Sequence, residues 1–117
     1  DDPSIANEIL ERARQLPLRA PMVIACIAKC TEHHKVPVQE QVQSAACAVM
    51  AMQQAAFALG FGGIWRTGAY TQYEFVKQTL GLGDDDEIVG YLYLGTATAE
   101  APERKALESN EFFADFS

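Results

Sequence analysis

The chain of 117 residues carries 16 acidic and nine basic side chains, which gives a formal net charge of −7. This length favours one domain over 1–117, and 49% hydrophobic with 21% charged residues is typical of a globular protein. The acidic balance argues against a nucleic-acid or anionic-membrane partner, because both need clustered Lys and Arg. No apolar run reaches the ~20 residues of a membrane span. Three cysteines, few and odd in number, indicate reduced thiols in a cytoplasmic protein.

The first half of the chain alternates helical and extended patterns. Apolar residues at helical spacing predict a helix over 1–16, which Pro17 ends. The continuous apolar run MVIACIA predicts a strand over 21–29. A polar connection then leads into a long helix over 38–59, which breaks at Gly60.

The second half of the chain supplies shorter elements. A short extended segment is predicted over 63–66, and a second helix over 71–80, with Thr71 and Glu74 at the spacing of a capping box. Residues 88–96, rich in Val, Tyr and Leu, predict a strand, and the polar tail follows it. The order of elements predicts an α+β fold in which helices pack on one sheet.

The stretch SAACAVMAMQQAAFALGFGGIWRTGAY, 44–70, holds the candidate site. A helix with so little polar surface belongs inside a protein or an interface, and the glycines after it let backbone approach a ligand. Arg66 adds a permanent cation between Trp65 and Thr67, suited to bidentate pairing with a phosphate. These residues indicate a ligand with a planar and an anionic part. From spacing alone, a surface Arg66 beside a core Trp65 remains open.

Three segments in the same order resemble one family. AACAVMAMQQAAFALGFGGIWRTGA, with RAPMVIACIAKCTEHHKVP before it and DEIVGYLYLGT after it, resembles the nitroreductase family, in particular its small YdjA-type members. The resemblance runs from about Ala13 to Thr96. It implies a mixed sheet packed with helices, with the long central helix at a homodimer interface. It also implies that the chain matches the carboxy-terminal two thirds of such a protein. The amino-terminal part, with its Arg-Arg-Ser type motif for the FMN phosphate, would then be absent.

The resemblance also implies two groups of cofactor-binding residues. One group lines the FMN site, where Arg66 would bind the anionic cofactor and the neighbouring residues would shape its wall. The other is the last turn of the long helix, which borders the nicotinamide nucleotide in the family. The first group comprises Gly62, Gly63, Trp65, Arg66 and Thr67, and the second Ala55, Ala56, Phe57, Ala58, Leu59 and Gly60.

The implied activity is that of an FMN-dependent NAD(P)H oxidoreductase. Hydride would pass from NADH or NADPH through flavin N5 to a nitroaromatic or quinone-like acceptor in a ping-pong cycle. No side chain is predicted to be catalytic, since in flavoenzymes the cofactor carries the redox chemistry. Two alternatives stay open: a non-catalytic dimerising fragment or binding module of the same fold, and a flavin enzyme acting on other substrates.

Two other clusters of polar residues are interpreted as binding no metal ion. A zinc site at Cys26, Cys30, His33 and His34 is disfavoured, because the cysteines lie on a predicted strand and no second pair follows them. The acidic run 84–87 lacks the alternating ligand spacing of a calcium loop and is interpreted as an exposed turn.

Overall fold

The computed structural model describes Asn7, Glu11 and residues 14–116. The described part contains strands β1 (Met22–Ala28), β2 (Gly62–Arg66) and β3 (Glu87–Gly95), and helices α1 (Val38–Ala58) and α2 (Glu74–Thr79). Short 3₁₀ turns occupy Leu16–Leu18, Ala69–Thr71 and Ser109–Glu111. The predicted α+β class is confirmed, whereas most of the predicted helix over 1–16 lies outside the described residues.

The three strands form an antiparallel sheet in which the last strand lies in the middle, in the order β1-β3-β2. Leu92 of β3 pairs with Ile24 on one side and Trp65 on the other, and it is fully buried. Helix α1 covers the face that carries these three side chains, with Val49 packed among them. Because side chains alternate along a strand, Ile64 and Arg66 point to the opposite face.

Helix α1 is held at both ends. At its start the Gln41 side-chain amide donates to the carbonyls of Thr31 and Val36 at 2.9 and 3.1 Å, which fixes the preceding loop. At its end Phe61 N–H donates to the Ala56 carbonyl at 2.9 Å, and Gly60 adopts a φ of 88°. A reversal of this kind requires the left-handed conformation that glycine adopts without strain. The predicted break at Gly60 is confirmed.

A bulge interrupts β3 beneath the tryptophan. Cys26 pairs with Gly90 and Ile27 with Ile88, so Val89 has no partner on β1. The Val89 carbonyl instead accepts a hydrogen bond from the Trp65 indole N–H at 3.3 Å. The bulge therefore anchors the indole on the buried side of the sheet.

The second predicted helix is shorter than expected. Thr71 belongs to a 3₁₀ turn, and its hydroxyl donates to the Gly68 carbonyl at 2.8 Å. Helix α2 begins at Glu74 after Tyr73, with no side chain capping it. The predicted capping box is wrong because the Thr71 hydroxyl is already used within the preceding turn.

The acidic run is only partly exposed. Asp84 and Asp85 face solvent, but Asp86 is buried and accepts hydrogen bonds from Lys29 Nζ at 2.7 Å and Gly83 N–H at 2.9 Å. These donors hold the pKa of the Asp86 carboxyl below its ordinary value. The interpretation as an exposed turn is wrong for Asp86, because this carboxylate ties the end of β1 to the start of β3.

Candidate functional site

An open cleft of about 370 Å³ lies where the starts of β1 and β2 meet the end of β3. Two guanidinium groups, those of Arg19 and Arg66, line it together with two hydroxyl-bearing side chains, and none of its lining residues is acidic. The chain as a whole has an excess of acidic residues, so the cleft is a local cationic region suited to an anionic ligand. The residues lining it are Arg19, Ala20, Pro21, Gly62, Gly63, Ile64, Arg66, Tyr93, Leu94, Gly95, Thr96 and Ala97.

Strand alternation decides which residues of the WRTG segment reach this cleft. Ile64 and Arg66 lie on the face of β2 away from α1 and line the cleft, opposite Tyr93 and Tyr91 in the register. Trp65 points the other way, into the core cluster under α1. Trp65 therefore lies in the core, which was the alternative that sequence spacing left open. Arg66 faces the cleft.

Thr67 lies beyond the end of β2 and lines a different cavity, of about 750 Å³, beside Thr71 and the start of α1. The turn that follows Thr67 is fastened to the sheet, because the Tyr91 hydroxyl donates to the Tyr70 carbonyl at 3.0 Å. Burial and the neighbouring Tyr93 raise the pKa of Tyr91 above its ordinary value, so this hydroxyl stays protonated as a donor.

A largely apolar cavity of about 520 Å³, separate from the one that Thr67 lines, lies between the end of α1 and β1. Helix α1 contributes Ala55, Ala56 and Leu59, three of the six positions assigned to the nicotinamide side of the site. Met22, Ile24, Met52 and Phe61 supply most of the remaining apolar surface.

The cleft and the apolar cavity share part of their walls. Pro21, Leu94, Gly95 and Thr96 line both spaces. A cationic region therefore adjoins an apolar one across a common set of residues. Arg66 reaches the cleft on the face of the sheet away from α1, whereas the apolar cavity lies on the face that α1 covers, so the two spaces meet around this edge of the sheet.

The remaining predicted site residues lie apart from these two cavities. Phe57 is 81% exposed and lines a smaller space of about 230 Å³ with Met50 and Gly63. Ala58 and Gly60 are exposed at the end of α1 and line neither the cleft nor the apolar cavity. Six of the eleven predicted positions thus line the cleft or the apolar cavity: Ala55, Ala56, Leu59, Gly62, Gly63 and Arg66.

Sequence reasoning missed Arg19, Tyr93 and Thr96 in the cleft. Arg19 lies just before β1 and carries no local signal. It reaches the cleft because β1 pairs with β3 so that Met22 lies opposite Leu94. Tyr93 could have been found from the alternation of β3, had the face of each strand been known in advance.

Of the three cysteines, Cys26 and Cys30 are buried and Cys47 is exposed on α1. Burial raises the pKa of the Cys26 thiol more than a hydrogen bond with the Leu92 backbone lowers it, and the thiol donates weakly to the Ile24 carbonyl at 3.5 Å. Cys30 is also buried, which limits access to its thiol. No cluster of three potential metal ligands occurs among the described residues. Nor does any described helix combine the length and the apolarity that crossing a bilayer requires.

Comparison with known proteins identifies related sequences and a related fold. The family model described as "Nitroreductase family" matches residues 4–96. The Escherichia coli K12 protein named "Putative NAD(P)H nitroreductase YdjA" is 54% identical over 95 residues, which cover 81% of this chain and 52% of that protein. A Haemophilus influenzae protein named "Putative NAD(P)H nitroreductase" is 33% identical over 110 residues, covering 92% of this chain and 60% of that protein. The chain thus spans about half of the length of these curated relatives.

A solved structure shares the fold. The crystal structure of the nitroreductase-like family protein from Bacillus cereus superposes with a TM-score of 0.68 over 90% of this chain and 59% of that one, at 21% identity. At this identity the likeness concerns the fold alone, and it agrees with the predicted nitroreductase-like arrangement of sheet and helices. The family match covers most of the chain, and the chain therefore belongs to the nitroreductase family.

Proposed function

We propose that this chain supplies part of the flavin site of an FMN-dependent NAD(P)H oxidoreductase that reduces nitroaromatic or quinone-like acceptors. The names of the E. coli and H. influenzae relatives, both NAD(P)H nitroreductases, support the reaction class. The observation that carries the proposal is the cationic cleft of Arg19 and Arg66 beside an apolar cavity.

The residues present fit an aromatic cofactor with a phosphate group. Arg66 would pair with the phosphate, since guanidinium groups bind phosphate through paired charge-assisted hydrogen bonds. Gly62 keeps a side chain out of the cleft, whereas a Cβ at Gly63 would meet Leu94 and Gln53 on the α1 side of the sheet. The Gly63 carbonyl accepts a hydrogen bond from the Gln53 side-chain amide at 3.0 Å. The apolar end of α1 would contact the nicotinamide nucleotide through Ala55, Ala56 and Leu59.

Bound FMN would supply the redox chemistry, taking hydride from NAD(P)H at N5 and passing the electrons to the acceptor in a ping-pong cycle. The chain's own residues then have to bind the cofactor and the substrates, orient them and exclude water. Pro21 and Leu94 form part of the common wall that separates the cationic from the apolar space. This division of labour agrees with the absence of a reactive thiol among the described cleft residues.

We also propose that the working unit is a cytoplasmic homodimer joined through α1. Only Val49 and Ala56 of this 21-residue helix are buried within the described chain. Met50 is 47% exposed and Phe57 81%, although both are large and apolar. A contiguous apolar surface of this kind marks an interaction site in a globular protein, and the alanines around Cys47 would let a second helix approach closely.

A flavin-loading experiment tests the proposed function. The purified intact protein is saturated with FMN and desalted, and its visible spectrum is recorded before and after anaerobic addition of NADH or NADPH. We expect a retained flavin band that bleaches with the reductant and returns when a nitroaromatic acceptor is added. A protein that self-associates but neither retains flavin nor oxidises NADH would be a binding module of the same fold, and the proposed function would be wrong.

A further inference from the structure

The loop that joins β1 to α1 is held by two side chains. Gln41, in α1, donates from its amide to the Thr31 and Val36 carbonyls and accepts from the Thr31 N–H at 3.0 Å. His33, within the loop, accepts through Nδ1 from the backbone N–H groups of Lys35 and Val36, at 3.2 and 3.1 Å. Val36 is therefore fixed on both sides, its N–H by His33 and its carbonyl by Gln41.

The two side chains differ in how they respond to pH. The Gln41 amide does not titrate, whereas histidine side chains gain a proton between about pH 5 and 8. A neutral imidazole has one acceptor nitrogen, but an imidazolium donates from both nitrogens and accepts through neither. His33 is exposed, so the solvent can supply that proton. It can hold the Lys35 and Val36 N–H groups only while it is neutral, with its own proton on Nε2.

The titratable group that faces His33 directly is a second histidine. The His34 ring stacks on the His33 ring with centroids 4.9 Å apart and an interplanar angle of 26°. Two positive rings at this distance repel each other, so proton uptake by both favours their separation. None of the ion pairs among the described residues involves His33. The charged residues of the end of β1, the loop and the first turn of α1 are Lys29, Glu32, Lys35 and Glu40.

The loop leads directly into one wall of a cavity. Pro37 follows Val36 and precedes the first residue of α1. Val38 and Gln39, in the first turn of α1, line the cavity of about 750 Å³. Thr67, one of the predicted flavin-site residues, lines the same cavity. A change at the Val36 N–H group therefore acts on the chain just before this wall.

We infer that His33 is a pH-sensitive clamp, the clamp being the two hydrogen bonds that its Nδ1 accepts from the Lys35 and Val36 N–H groups. Uptake of a proton from solvent turns Nδ1 from an acceptor into a donor, releases both N–H groups to water and loosens the start of α1. The Gln41 contacts persist, so the opening stays local to the loop and the first turn. The clamp is independent of the proposed flavin chemistry, because His33 lines neither the cleft nor the apolar cavity.

The test follows the two amides by NMR in the intact protein at pH 7.5 and pH 5. Exchange of the Lys35 and Val36 amides with water is measured and compared with the intrinsic rate at each pH, and imidazole nitrogen shifts report which nitrogen carries the proton. His33→Asn keeps an acceptor that does not titrate, since an Asn side chain also bonds the N–H two residues on. His33→Ala removes the acceptor. His34→Asn is the matched control, and the amide of buried Val49 reports on global unfolding.

We expect the Lys35 and Val36 amides of the wild type to lose protection by roughly two- to tenfold between pH 7.5 and pH 5, the usual effect of losing a hydrogen bond. His33→Asn should keep the protection at both pH values, and His33→Ala should lack it at both. His34→Asn should keep the pH dependence of the wild type. Protection of Val49 should not change, and the neutral His33 ring should carry its proton on Nε2.

Four results would each overturn the inference. Constant protection of the wild-type amides between pH 7.5 and pH 5 would show that proton uptake does not open the loop. A pH dependence that is unchanged in His33→Asn, or lost in His34→Asn, would assign the response to another group. Equal protection of wild type and His33→Ala at pH 7.5, or a proton on Nδ1 of the neutral ring, would show that Nδ1 holds neither N–H group.

Discussion

The Trp65 indole lies directly over the backbone of Gly90, in the space where any other residue would carry its Cβ. A Cβ at position 90 would overlap the indole and come within 2.7 Å of the Arg66 carbonyl oxygen. Gly90 also adopts a φ of 150°, a conformation that residues with a side chain rarely take. The contact joins the bulge of β3 to the strand that carries Arg66, so the position of the cleft arginine depends on it.

We therefore expect Gly90→Ala to destabilise the fold. Overpacking of this kind costs about 1–3 kcal/mol, and the backbone conformation adds to the cost. Chemical denaturation followed by fluorescence of Trp65, the single tryptophan of the chain, measures the free energy of unfolding. Gly83→Ala is the matched control, because a Cβ there meets only the Asp86 carboxylate, at 3.6 Å. Equal stability of the two variants would show that the indole does not depend on the gap at Gly90.

The ion pair of Lys29 and Asp86 predicts a pH dependence of stability. The Lys29 ammonium, and then the Gly83 N–H, hold the folded pKa of Asp86 below the unfolded value of about 3.9. The contribution of the carboxylate is therefore complete above about pH 3.9 and is lost as the pH falls through the folded pKa.

Asp86→Asn should accordingly lower the thermal midpoint at pH 7, and the difference from wild type should shrink as the pH falls below about 3.9. Thermal unfolding across this range measures it, with the exposed neighbour Asp85→Asn as the control. A difference between wild type and Asp86→Asn that stays constant with pH would mean that the charge of Asp86 contributes nothing to stability.

The exposed apolar surface of α1 predicts that a charge on it weakens self-association. Phe57→Asp places a charge where a large side chain is 81% exposed in the single chain. Truncation of a central aromatic residue in an interface commonly costs more than 1 kcal/mol, so the dimer affinity should fall by about tenfold or more. Analytical ultracentrifugation measures it.

Gln78→Asp is the control, because it adds the same charge to an exposed position on α2, away from the apolar surface of α1. Equal dimerisation of wild type and both variants would place the interface elsewhere. A monomeric wild type would contradict the proposed dimer outright.

The long helix and its end were predictable because their signals are local. The alanine-rich run of α1 and the glycine at 60 need no information from the rest of the chain, and the structure places both as expected. Thr71 shows the limit of local signals, because its hydroxyl could accept from the Glu74 N–H in a capping box but instead donates to the Gly68 carbonyl within the preceding turn.

The cleft could be predicted only in part because it depends on strand pairing. The motif singled out Trp65 and Arg66 together, but alternation along β2 sends one into the core and the other to the cleft. Arg19 joins the cleft through the register between β1 and β3. The bulge at Val89 shifts that register, and its local signal is the glycine at 90 inside the strand pattern, which does not say how far the register moves.

The most direct test of the account is FMN affinity with and without the Arg66 guanidinium. Flavin fluorescence is titrated with wild type, Arg66→Ala and the tail variant Arg104→Ala, all at one salt concentration. Loss of a charge-assisted hydrogen bond costs roughly 1.5–3 kcal/mol, so Arg66→Ala should bind FMN about ten- to a hundredfold more weakly than wild type, and Arg104→Ala equally well. Equal FMN affinity of wild type and Arg66→Ala would contradict a flavin phosphate in this cleft.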